Sequence, residues 1–160
     1  MMDGSVIRAH QHAAGAQGGQ EKQALGRSKG GFSSKIHVKV DSFGLPLRFI
    51  LTPGQDSEIK TAKELLGDEL SEYLLADKAY DSNEFRDELK NRGTTAVIPS
   101  KKNRIIPIEH DTHIYKERNY VERFFNRVKS FRRIATRYDK TAVMFLGALT
   151  LVSILLWLKL

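Results

Sequence analysis

The sequence contains no cysteine. That excludes disulfides and thiolate metal sites, and it suits a reducing compartment. Any bound metal has to be held by Asp, Glu or His, and an oxygen-rich set favours a hard ion such as magnesium or manganese. No apolar run opens the chain at Met1-Met2-Asp3-Gly4-Ser5, so no secretory leader is expected. No internal repeat is visible. Charge is absent from Thr141 to Leu158, a mostly apolar stretch preceded by Arg132, Arg133, Arg137 and Lys140. Two readings fit that stretch. One is a short membrane span with a positive flank, and the other is a helix buried on all sides in a core. We take the buried helix, with no membrane partner and a cytoplasmic, nucleoid-associated location.

What is present is one domain's worth of chain. The length of 160 residues with 41% hydrophobic content allows a real core. The net charge of +7 is uneven: residues 101–140 hold 12 Lys and Arg against 5 Asp and Glu, so they carry all of it. A basic stretch of that kind suits a polyanion partner, and a solvated basic surface is the plainer alternative.

The chain reads as strand, hairpin, helix, strand, helix, strand, helix. Residues 3–9 form a short first strand. Residues 11–34, rich in Gly, Ala, Gln and Ser, read as a long flexible loop whose Arg27, Lys29 and Lys35 reach toward phosphates. Residues 35–52 alternate as a hairpin with one buried side, Ile36, Val38 and Val40 inward and Lys35, His37 and Lys39 outward. A helix capped at Asp56 or Ser57 runs to about Leu66. Tyr73–Ala76 is a buried strand that ends at Asp77. Ser82 caps a helix that Gly93 stops, and Ala96–Ile98 is another buried strand. After a basic loop, a long helix spans about Tyr115 to Arg133. This order suggests a mixed sheet with helices on its faces, as in the ribonuclease H-like fold.

The long helix carries the most informative spacing. Tyr115, Arg118, Glu122 and Lys129 stand at i, i+3, i+7 and i+14, within roughly 60° of one another on a helix. Arg and Lys hold phosphate oxygens. Glu makes sense beside a phosphate when it holds a bridging cation. A solvated face with an Arg118–Glu122 pair at i, i+4 spacing explains the same residues more plainly. Asp77 sits where a buried strand leaves the sheet, a place where ligand sites gather. Asp81 is its rival as a turn or capping residue. Asp3 flanks the first strand. His10, His12 and His37 show no compact metal-binding spacing.

The Tyr115-x2-Arg118-x3-Glu122-x6-Lys129 pattern resembles the Tyr-Arg-Glu-Lys signature of a group of bacterial insertion-sequence transposases of the DDE superfamily. Residues 119–129, Asn-Tyr-Val-Glu-Arg-Phe-Phe-Asn-Arg-Val-Lys, are similar to the family block around the catalytic glutamate. Residues 76–82, 3–12 and 26–31 resemble the second-aspartate block, the first-aspartate block and the basic glycine loop. The resemblance implies that Asp3, Asp77 and Glu122 are the catalytic triad holding two Mg²⁺ ions, with Mn²⁺ as a substitute. It implies cleavage at transposon ends followed by strand transfer of a 3′-hydroxyl into target DNA. Tyr115, Arg118 and Lys129 would position DNA, with Arg123, Arg127, Arg132, Arg133, Arg27 and Lys29 adding phosphate contacts. Partners implied are transposon-end and target DNA, and a second copy, an upstream-frame product or a full-length transposase.

Family members carry a segment before the first aspartate, whereas two residues precede Asp3 here. We therefore expect a truncated first strand, a loosely held Asp3, and weak cleavage by this chain alone. A frameshift product and a truncated relic both fit. An inactive or regulatory fragment that binds DNA or a full-length partner without cutting is the alternative function.

Overall fold

The structure is a computed structural model that describes residues 1–158. Its centre is an antiparallel meander of β1 (Met2–Ala9), β3 (Gly31–Val40) and β4 (Pro46–Pro53). Alternating apolar residues with β-branched positions make these strands, and the turn around Asp41–Gly44 closes β3 onto β4. β2 (Gly26–Ser28) pairs with the start of β3, and β7 (Thr136–Arg137) runs parallel to the end of β1. The result is a five-stranded mixed sheet.

A separate parallel pair, β5 (Tyr73–Leu75) and β6 (Thr95–Val97), is joined by helix α3 (Asn83–Asn91). Parallel neighbours require such a crossover. Ser82 starts α3 by accepting from the Phe85 N–H at 3.2 Å, and Gly93, at φ 72°, ends it in a conformation few other residues adopt. The single mixed sheet expected from the element order is thus two sheets. The α/β arrangement, a mixed curled sheet flanked by helices, is compatible with the ribonuclease H-like fold.

Two apolar clusters hold the layers together. On one face of the sheet, Ile7, Ile36, Val38 and Val40 pack against Val121, Phe124, Phe125 and Val128 of α5 (Asn119–Lys129) and against Phe145 and Leu149 of α7 (Ala142–Trp157). On the other face, Met2 joins Leu65 and Leu66 of α2 (Ala62–Leu66), Leu74, Tyr80, Phe85, Leu89 and Ile98. Each such side chain contributes about 1.5–3 kcal/mol when fully buried.

Several expectations change. The hairpin is buried on both sides: His37 is fully buried and Lys39 nearly so, because α2 and its preceding turn cover the face expected to meet water. Residues 11–34 are not one open loop. They include a 3₁₀ turn (Gln11–Ala13), α1 (Gly19–Lys22) and β2. The long helix is not continuous to Arg133. α4 (Thr112–Tyr115) passes through a 3₁₀ turn (Lys116–Arg118) into α5, and Phe131, at ψ 113°, separates α5 from α6 (Arg132–Ala135). Helix α7 buries only Phe145, Leu149 and Ser153, leaving Val143, Met144 and Leu151 largely exposed, so it is not buried on all sides. Among the described residues, no helix is long and apolar enough to cross a membrane.

Candidate catalytic site

β1 and α5 build the site between them. Successive side chains on a strand point to opposite faces. Asp3, Ser5 and Ile7 therefore share one face, and α5 lies on it. Arg118 Nη2 donates to Asp3 Oδ2 at 2.9 Å across 115 residues of chain, and Arg118 Nη1 donates to Glu122 Oε1 at 2.7 Å. Lys129 Nζ donates to Ser5 Oγ at 2.7 Å. Arg118 thus makes the plain i, i+4 pair and also ties the first strand to the helix.

Asp3 is well held. Its strand pairs with β3 from Met2 to Arg8, its Oδ1 accepts from the Gly4 N–H at 2.8 Å, and it is 9% exposed. The expected loose hold on Asp3 is not what the structure shows, because β1 pairs with β3 along Met2–Arg8. Burial pushes the Asp3 carboxyl up, the Arg118 guanidinium opposes that, and the charge of Asp77 adds to it. Asp77 follows β5 and accepts from the Ala79 N–H at 2.7 Å, capping a short 3₁₀ turn (Lys78–Tyr80). Glu122 is the most open of the three, with its side chain 57% exposed.

Tyr115 lies beside this group. Burial pushes its phenol up, Arg118 opposes, and Asp77, Asp3 and Glu122 add to it. Burial pushes the Lys129 ammonium down. Arg123 stacks over Tyr120 at 5.5 Å, while Arg127, Arg132 and Arg133 are exposed, Arg133 pairing with Asp139 at 3.4 Å. Arg27 is exposed and stacks on Phe32 at 5.0 Å, and Lys29 is exposed. Lys35 does not reach outward. It donates to the Asp56 carbonyl at 2.6 Å and pairs with Glu58 at 3.4 Å.

Asp81 is a different kind of aspartate. Its side chain is fully buried and accepts from Arg86 Nε at 2.8 Å, Arg104 Nη1 at 2.9 Å and the Lys101 N–H at 2.9 Å. Burial works against its charge, and these donors overcome it and hold the carboxyl low.

Sequence reasoning missed Glu58 and Tyr80. Tyr80 is fully buried, its hydroxyl has no hydrogen-bond partner, and burial followed by the charges of Glu58, Asp3 and Asp77 pushes it up. The available signal for Glu58 was its place at the start of the helical turn after the hairpin.

Among the described residues, no three acidic or histidine side chains converge closely enough to hold a metal ion as they stand. The place between Asp3 and Glu122 is taken by the Arg118 guanidinium, a cation standing among carboxylates. Arg118 Nε and Tyr80 Oη, both buried, lack partners. The donors are hard oxygens, so their chemistry fits a divalent ion of the magnesium class. A cavity of about 480 Å³ lined by Met1, Lys39, Leu70, Tyr73 and Glu117 includes none of the three carboxylates.

The family model described as "Transposase DDE domain" matches residues 1–157. The chain belongs to the DDE transposase family. A transposase for insertion sequence element IS6501 from Brucella ovis is 38% identical over 129 residues, covering 79% of this chain and 99% of that protein. A transposase for insertion sequence element IS402 from Burkholderia cepacia is 30% identical over 121 residues, covering 68% of this chain and 55% of that protein. No solved structure matches the chain. DDE transposase domains generally use divalent metals, which agrees with the donor chemistry seen here.

Proposed function

We propose that this DDE domain cleaves phosphodiester bonds at transposon ends and transfers the freed 3′-hydroxyl into target DNA, with Asp3, Asp77 and Glu122 holding two Mg²⁺ ions, which Mn²⁺ replaces. The observation that carries this reading is that Asp3 and Glu122, distant in sequence, share one cation at the start of α5, whose outer face is basic. Bound divalent ions would supply activation of the attacking oxygen and stabilisation of the leaving one.

The chain's own residues do the rest. Arg118 is the counter-charge that bridges Asp3 and Glu122 when DNA is absent. A backbone phosphate competes for that guanidinium, and its departure frees both carboxylates. Lys129 and Tyr115 flank the same place and orient the strand. Arg123, Arg127, Arg132, Arg133, Arg27 and Lys29 add sequence-independent phosphate contacts. Residues 1–160 act as one catalytic domain, working as a homodimer or with an upstream-frame or full-length transposase product.

The Arg118 bridge also favours a second reading, a chain that binds DNA or a full-length partner without cutting. A strand-transfer assay with a pre-cut DNA end and Mg²⁺ or Mn²⁺ separates the two. Catalysis predicts joined product that Asp77→Ala and Glu122→Ala abolish. DNA binding without joined product from the wild-type chain supports the regulatory reading, and full activity in both variants overturns the site.

A further inference from the structure

Helix α7 presses Phe145 and Leu149 into the core and hides Ser153, while no described residue covers its other side. Met144, Gly147, Leu151, Ile154 and Leu158 follow one another along that side at steps of three and four residues. This is the spacing that keeps an apolar seam facing a second helix. Val143 and Leu155 flank the seam, and these six large side chains are between 46% and 79% exposed. Together they leave on the order of 700 Å² of apolar surface open, above the roughly 300–600 Å² of the largest patch on a monomer and close to the roughly 800 Å² each partner brings to a standard stable interface.

Two details fit a paired face. Glycine inside a helix weakens it, and the chain's own packing does not require one at 147, since a Cβ there would meet nothing within 4 Å. On a paired face Gly147 is the notch into which the facing helix settles. Thr150, at the edge of the same side, donates to the Leu146 carbonyl at 2.9 Å, so its hydroxyl does not oppose burial. No charged residue stands between Ala142 and Leu158, so the face offers nothing to DNA and does not repel its own copy. Such a face is complementary to itself, as a two-fold interface requires.

We propose that the outer face of α7 pairs with the same face of a second copy of this chain, with Leu151 at the two-fold axis. Leu151 stands midway between Met144 and Leu158, so it meets its own copy whether the helices run parallel or antiparallel. The seam includes none of Asp3, Asp77, Arg118, Glu122 or Lys129, so pairing uses no group of the catalytic site. The interface gives a surface to the homodimer proposed above and stands independently of the catalytic reading.

The test is sedimentation of the full chain without DNA at micromolar concentration, with thermal unfolding as the check on folding. The wild-type chain should sediment as a dimer. Leu151→Glu puts an unpaired charge into the closed seam and should weaken the dimer about a hundredfold or more. Ile105→Glu, at a side chain 96% exposed outside the seam, should leave it intact. Because the chain has no cysteine, Leu151→Cys should oxidise to a covalent dimer and Ile105→Cys should not. A monomeric wild-type chain overturns the proposal, and its adsorption to phosphatidylcholine vesicles would then assign the face to lipid. A dimer that survives Leu151→Glu, or that Ile105→Glu also dissolves, overturns it too. If Leu151→Glu does not fold, Met144→Glu takes its place. None of these outcomes bears on strand transfer, which is read separately on pre-cut DNA.

Discussion

Asp77 and Asp81 stand four residues apart in one turn, yet their surroundings are opposite. Asp81 is fully buried and saturated by two guanidinium groups and a backbone N–H. It locks α3 to the loop after β6, since Arg86 also donates to the Ile98 carbonyl at 2.7 Å. Asp77 keeps one backbone donor, and its charge acts on Asp3, Glu58 and the unpaired phenol of Tyr80. Charge that is fully matched builds structure. Charge left with few donors is where a ligand can supply the rest.

The largest expected effect breaks that comparison directly. Asp81→Ala strands the buried Arg86 charge and should cost about 3–5 kcal/mol in urea unfolding. Asp77→Asn keeps an oxygen to cap the following turn and should cost about 1 kcal/mol or less. Equal losses would erase the distinction between the two aspartates.

Next comes a pH effect at His37, which is fully buried and bonds Thr52 Oγ1 at 2.9 Å. Burial and then Lys35 push its imidazole down to about 4, from 6.5. The folded state therefore disfavours the proton. Stability is fully present above pH 6.5 and falls as pH drops toward 4, by about 3 kcal/mol in all. A His37→Gln variant should flatten that part of the stability profile, and an unchanged slope would reassign it.

The open site should respond with the other sign. Burial first, then Asp77, raises the folded-state Glu58 carboxyl. Its charge is a cost that appears as pH rises above the unfolded value near 4.5 and is complete above the raised one. Glu58→Gln should raise the melting temperature at pH 7, with the gain fading as pH falls from the raised value toward 4.5 and absent below it. A lower melting temperature at pH 7 would make Glu58 a saturated residue like Asp81.

The smallest effect concerns the exposed cations of α5. Arg127→Ala should weaken binding to DNA of any sequence and reduce the slope of log affinity against log salt by about 1. Loss confined to one sequence would make Arg127 a base reader.

Much of the fold was legible because apolar periodicity reports burial directly. The β3–β4 hairpin, the Ser82-capped α3 and the strand leading to Asp77 follow from it. The burial of His37 and Lys39 was not legible, since a polar residue at alternate spacing gives no hint that another layer will cover it. Nor was the break at Phe131, because apolar spacing continues across it while the backbone turns extended. The two-residue β7 is too short to leave a pattern. In the site, the Tyr-Arg-Glu-Lys spacing placed Arg118, Glu122 and Lys129 on one side of the chain, and the structure sets Arg118 and Lys129 against β1. Glu58 escaped because its neighbourhood is made by a missing side chain at Gly4, which no spacing rule records.

The most direct measurement of the central claim replaces the native divalent ion with Fe²⁺ and maps where radicals generated at it cut the polypeptide. The account predicts cuts at three places, around Asp3 in β1, after β5 at Asp77 and near Glu122 in α5, all suppressed by excess Mg²⁺ and lost in Asp77→Asn. No cuts at these three places, or cuts that persist in Asp77→Asn, would contradict it.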